Sequence, residues 1–297
     1  RGAVGRQSVA ATRTTTRKKK KKPNMLDNSR FVDMLPSASW DNNHVSILGC
    51  GGGGSHLAHL LARMGAHHMT LWDDDNVAEE NLAVQMFTRE TLGENKAFAL
   101  CHLINDTLVG EEIACAYAER ATPDNVMEWL TSIVCCEVDS MDTRAALFAA
   151  WWDVVKDRAH DEIYGGYLWI ESRTGGEVAR VYAVQSHDGA MTEQYRKTLY
   201  TSAAAASVPC GARSVGYMQY LAGGLEGLAV QRFLRDDYVP FEQIIAPAEV
   251  GIGLFTSAIK SQSPEVITYP TDAMREAITF YTENATVVHM QYSAEGD

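Results

Sequence analysis

The chain has 297 residues, with 26 Lys and Arg against 38 Asp and Glu, a formal net charge of −12. The charge is divided unevenly: residues 1–22 hold nine basic groups and no acidic one, so the remainder carries 17 basic against 38 acidic groups, a net of −21. A body that acidic is a poor general ligand for phosphate backbones and excludes a nucleic-acid binder. No apolar run reaches the roughly 20 residues needed to span a bilayer, so no membrane segment is expected.

In chain order, residues 1–28 are polar and basic without periodicity and read as a disordered tail; Lys18–Lys22 fits either a solvated run or a nuclear signal. Val45–Leu48 is an apolar strand candidate, followed by glycines and a helix that places Leu57, Leu60, Leu61 and Met64 on one face. Met69–Trp72 is a second strand, 89–108 a helix, Ile113–Tyr117 a strand and Asp124–Leu130 a short helix. Ile133–Val138 reads as a buried strand and Asp142–Val155 as a helix. This alternation predicts an α/β, Rossmann-like, mostly parallel sheet with helices on both faces. Beyond residue 160 the pattern changes. Ile163–Ile170 and Glu177–Gln185 flank Thr174-Gly175-Gly176 as a hairpin would, so the C-terminal half is expected to add an antiparallel extension. Residues 186–209 read as loop, a long helix follows from about Arg213 to Leu234, and another helix is expected at 271–282.

Between the first strand and first helix lies Gly49-Cys50-Gly51-Gly52-Gly53-Gly54-Ser55, in the setting that a dinucleotide-type glycine motif requires. Glycines let backbone N–H groups approach a phosphate, and the helix N-terminus adds partial positive charge. Asp73 closes the second strand, where a carboxylate can accept both ribose hydroxyls, which favours an unphosphorylated ribose. These features alone leave NAD and ATP both open. The sequence lacks the Walker-type lysine motif.

A longer constellation follows: Asp73 and Asp75 before Val77, then Asn81-Leu82, Gln85, Gly93 and Lys96, and later Asp139 with Arg144 five residues on. Together with Gly49, Gly51, Gly52, Gly54 and Ser55, this ordered set resembles the ThiF/MoeB/HesA (ubiquitin-activating-enzyme-like) adenylyltransferases over about residues 30–235. The resemblance implies an ATP-binding domain over 29–250, with 251–297 as an extension of unknown role. It further implies ATP and Mg²⁺ as cofactors and adenylation of the C-terminal carboxylate of a small ubiquitin-like or sulfur-carrier protein, or a peptide. Lys96 would then neutralise phosphate charge, Asp139 would hold Mg²⁺, and Asn81 and Gln85 would bond near the phosphates. Catalysis would rest on positioning and electrostatics, because the substrate carboxylate is itself the nucleophile. A homodimer is implied as well, with Arg30 reaching the neighbouring site. Cys210, between Pro209 and Gly211, matches a cysteine loop that in some relatives takes over the activated acyl group. The family's arginine before the glutamine is Val84 here, a lost cation for which Arg89 or a second subunit's arginine could compensate.

Each residue also has an ordinary reading. Lys96 could be a solvated helix lysine, Asp139 a helix N-cap, Cys210 a packing residue, and Asn81 and Gln85 could face water. Cys135 and Cys136 belong to a core strand. The six cysteines include no C-x-x-C pair, so no disulfide scaffold or zinc site is expected and a reducing, cytoplasmic setting fits best. Two other functions remain in play: an NAD-dependent oxidoreductase, and a non-catalytic family member that binds ATP or a carrier without activating it.

Overall fold

The computed structural model describes residues 26–158, 166–175, 178–201, 215–245 and the backbone of 254–257. Among the described residues, eight strands form one sheet in the order β3-β2-β1-β4-β5-β6-β7-β8. They are β1 (Val45–Leu48), β2 (Met69–Trp72), β3 (Ala114–Tyr117), β4 (Ile133–Cys136), β5 (Leu168–Gly175), β6 (Val178–Gln185), β7 (Glu242–Ile245) and β8 (Leu254–Ser257). β1 to β5 pair in parallel, with Val45 opposite both Met69 and Ile133, and β6, β7 and β8 continue the sheet antiparallel. A βαβ half thus carries an antiparallel wing, as the two sequence patterns predict.

The helices are α1 (Gly52–Arg63), α2 (Lys96–His102), α3 (Val126–Trp129), α4 (Met141–Val155), α5 (Gly189–Thr198) and α6 (Gly216–Leu234). Strand side chains alternate between two cores. Val45, Ile47, Leu168 and Ile170 pack with α1, α2 and α6, whereas Leu48, Val134, Cys136 and Trp169 pack with α3, α4 and α5. Burial on both faces explains why β1 and β4 are apolar at nearly every position. Small residues on α6 draw it onto α1: a Cβ at Gly227 would lie 2.9 Å from Leu60 Cδ2. Among the described residues, no helix is long and apolar enough to cross a membrane.

Two expectations and one ordinary alternative are corrected. The predicted helix over 89–108 is broken into a 3₁₀ turn at Arg89–Thr91, α2, and a π-helical stretch at Leu103–Val109. Gly93, at φ +84°, leaves the right-handed region, and Asn95 caps α2 by accepting from Phe98 N at 3.2 Å. Within the π stretch Asn105 is buried and bonds the backbone of Ile113 and Ala114. Second, the segment read as loop from residue 186 contains α5, capped by Asp188, whose Oδ1 accepts from Met191 N at 2.9 Å. Met191 and Tyr195, four apart, are the apolar face that anchors it. Third, Ser140 and not Asp139 caps α4, its side chain accepting from Thr143 N at 3.3 Å. The expected helix at 271–282 lies outside the described residues.

Candidate functional site

A cleft of about 320 Å³ opens at the C-terminal ends of β1, β2 and β4. It is lined by Gly49, Gly51 and Gly52 after β1, Trp72 to Asp75 at the end of β2, and Glu137 to Ser140 after β4, with Gln85 and Lys96. Open parallel sheets place ligands there because the strand order reverses at β1 and the flanking loops part.

The glycine loop is built by close contacts. Gly49 adopts φ +96°, and a Cβ there would lie 2.8 Å from Glu137 O. A Cβ at Gly54 would lie 1.9 Å from Gly49 O, so a side chain there would force the loop off the helix. Gly51 is different: a Cβ there would meet nothing closer than Gln85 Nε2 at 4.0 Å, so this position borders open cleft. Ser55 is buried and accepts from Met86 N at 3.2 Å, which ties the loop to the segment carrying Gln85.

Asp73 joins two loops. Its Oδ2 accepts from Cys50 N at 2.7 Å and its Oδ1 from Asp75 N at 2.8 Å. Burial raises its pKa above the usual aspartate value, while those N–H groups and Lys96 pull it down. Asn95 positions Lys96: its Nδ2 donates to Asp73 O at 2.8 Å and to Asp75 O at 3.0 Å, and Lys96 N donates to Asp75 O at 2.9 Å. The Lys96 ammonium is largely buried and pairs with Asp75 Oδ2 at 2.9 Å. It is therefore a fixed cation at the cleft rather than a solvated helix lysine. The Cys50 thiol is buried, and burial together with nearby Asp73 holds its pKa well above normal, so it is no nucleophile.

The structure gathers Gly49, Gly51, Gly52, Asp73, Asp75, Gln85, Lys96 and Asp139 around one cleft. Gly54 and Ser55 support it from below. Asn81 does not line it; its Oδ1 accepts from Ala78 N at 2.8 Å and holds the local turn. Arg30 lies on an exposed turn before β1 and does not line it either. Cys210 lies outside the described residues. Arg89, considered as a replacement for the cation absent at Val84, pairs with Glu79 at 2.7 Å on the surface instead. Sequence reasoning missed Trp72, Asp74, Arg120, Glu137 and Thr143 as lining residues. Asp74 and Trp72 adjoin a recognised motif, but Arg120 stands in a loop with no pattern to mark it.

Beneath the cleft, Arg144 is buried and donates to Val138 O and to Ser172 O, both at 2.7 Å. It thereby holds the end of β4, next to Asp139, against β5. Glu137 accepts from Ser172 Oγ at 2.7 Å and lies beside Glu226 of α6. Glu226 is fully buried beside Glu137 and Ser172. Burial, reinforced by Glu137, pushes its pKa well above the usual glutamate value, so it is held as the neutral acid.

Residues 28–271 match the ThiF family. The chain belongs to that family. A segment of 111 residues is 33% identical to the tRNA threonylcarbamoyladenosine dehydratase of Escherichia coli strain K12, covering 36% of this chain and 41% of that relative. The fold is similar to Escherichia coli MccB in a crystal structure with AMPCPP and MccA, at TM-score 0.57 and 17% identity over 78% of this chain and 72% of MccB. It is also similar to PaaA, at TM-score 0.56 and 16% identity over 74% of each chain. At these identities the two structures establish a shared fold.

Proposed function

We propose that this ThiF-family chain is an ATP-dependent adenylyltransferase that activates the C-terminal carboxylate of a small ubiquitin-like or sulfur-carrier protein, or of a peptide. The observation that carries the reading is the convergence of the glycine loop, Asp73, Gln85, Lys96 and Asp139 on one cleft. The groups present fit ATP. Gly51 borders open space at the N-terminus of α1, and the buried Gln85 Oε1, lining the cleft, has no hydrogen-bond partner. Asp73 retains acceptor capacity on both oxygens for ribose hydroxyls. A hard carboxylate oxygen suits Mg²⁺, and Asp139 faces the cleft. MccB has been crystallised with ATP as well as with AMPCPP and MccA, which supports a nucleotide and a separate acceptor in this fold.

In the proposed reaction, an oxygen of the acceptor carboxylate forms a bond to the α-phosphorus of ATP. The bond to the bridging α–β oxygen breaks, and pyrophosphate leaves with that electron pair. Lys96 would hold charge that builds on the phosphates, and Asp139 would hold Mg²⁺, which offsets the charge of the leaving group when bound. No side chain needs to act as nucleophile in this step. Arg30 from a second subunit, and Cys210 as a later acyl acceptor, are part of the same proposal. An oxidoreductase would use the glycine loop and Asp73 but would leave Lys96 and Asp139 without a task. ATP–pyrophosphate exchange with a cognate acceptor tests the reading. Exchange that depends on the acceptor's free C-terminus supports it; binding of ATP without exchange for every acceptor tried would leave a nucleotide-binding, non-activating chain.

A further inference from the structure

Arg120 and Asp74 close the outer mouth of the cleft, from the loops after β3 and β2. Arg120 Nε donates to both Asp74 oxygens, at 2.9 and 2.8 Å. Its side chain nevertheless stays 73% exposed, so the plane of the guanidinium is open. An exposed pair of this kind adds little to folding, which makes stability a poor reason for its position in the cleft.

The sheet order says which end of a nucleotide it faces. β1, β2 and β3 are successive neighbours, about 4.8 Å apart, so the loop after β3 sits roughly 10 Å from the glycine loop after β1, with Asp73 between them. A nucleotide whose phosphates meet the glycine loop and whose ribose meets Asp73 therefore brings its base toward Arg120. The wall there is apolar: Trp72 and Ala121 line it, and Trp72 is itself braced by a parallel stack on Tyr117 at 4.1 Å. Lys96, paired with Asp75, is the second cation that lines the cleft.

We propose that Arg120, held by Asp74 across the mouth of the cleft, lays its guanidinium on the face of the nucleobase and determines recognition at the base end of the site. The proposal rests on the adenine-nucleotide reading of the cleft. A planar, weakly hydrated guanidinium stacks on an aromatic ring in a way that a lysine ammonium does not. Asp74 limits the rotamers of Arg120 before the ligand arrives.

Calorimetric titration of the full chain with adenosine and with Mg²⁺·ATP, for wild type, Arg120→Ala and Arg120→Lys, tests this. Arg120→Ala is expected to weaken both ligands by the same factor, about three- to tenfold. Arg120→Lys keeps the charge but loses the plane, and is expected to resemble Arg120→Ala. Thermal denaturation should be unchanged, because the side chain is exposed. Weakened ATP with unchanged adenosine would place the guanidinium on the phosphates and overturn the proposal. Unchanged affinity for both ligands would reduce the pair to a surface contact and overturn it too. A wild-type chain that binds neither ligand overturns the nucleotide reading itself, an outcome distinct from wild-type binding that is indifferent to Arg120.

Discussion

The cleft at the tips of β1, β2 and β4 and the network beneath the β5–β6 pair are both crowded with charge, and they handle it in opposite ways. At the strand tips, Asp74 and Asp75 pair with Arg120 and Lys96 and remain open to solvent on one side. Under the pair, Glu171 is fully buried between Arg173 and Arg144 and also accepts from the Tyr195 hydroxyl. Arg173 is held further by Thr198 O at 2.8 Å and Thr198 Oγ1 at 3.0 Å and lies over the Tyr182 ring. The open pairs can exchange a protein partner for a ligand. The closed network is largely buried and holds β5, β6 and α5 together. A charged residue is therefore informative about function when its partner is replaceable, and about architecture when it is not.

The contrast can be broken most directly at Glu171. Glu171→Leu leaves two guanidinium groups without their buried counter-ion, and a loss of about 3–5 kcal/mol is expected in urea unfolding. Exchange activity per folded molecule should be unaltered; a selective loss of activity would mean that the two regions are coupled. Asp139→Ala is the converse test. ATP–pyrophosphate exchange is expected to fall at least about a hundredfold, the order seen when a group that stabilises transition-state charge is removed, with an unchanged thermal midpoint. A drop in the midpoint instead would move Asp139 to the architectural class. Asn105→Ala removes the groups that bond Ile113 N, Ala114 N and Ala114 O, and should cost about 2 kcal/mol without altering ATP affinity.

The smallest effect expected depends on pH. Glu226 has its folded-state pKa raised by burial, so above the ordinary value of 4.5 the native state binds more protons than the unfolded chain. The stability this group contributes is complete below that value and falls as pH rises toward its folded pKa. Glu226→Gln replaces the neutral acid with an amide of similar shape. The variant should lose that part of the decline and gain on wild type at alkaline pH. Parallel stability–pH profiles for the two proteins would show that Glu226 does not hold a proton.

The features legible in the sequence are local ones. Gly49 to Ser55 between a strand and a helix, Asp73 at a strand end, and Lys96 three residues after Gly93 are set by spacing within one loop or turn. Local spacing did not show that the Asn81 amide oxygen is used by its own turn. It also passed over α5, where Asp188 supplies an ordinary cap before an apolar pair four residues apart. Neither feature depends on distant contacts; in each a side-chain bond to nearby backbone competes with the more conspicuous reading.

The remaining decisions belong to tertiary structure. Glu137 and Glu226 meet although they are 89 positions apart, and only their burial together makes one of them a neutral acid. Arg120 enters the cleft because β3 lies two strands from β1, a placement that no motif in its own loop encodes. The order of apolar runs was enough for the Rossmann-like half, since period and turn chemistry act over a few residues. Which charges face a ligand and which cancel one another in the core depends on distance through space, and that distance exists only once the sheet has assembled.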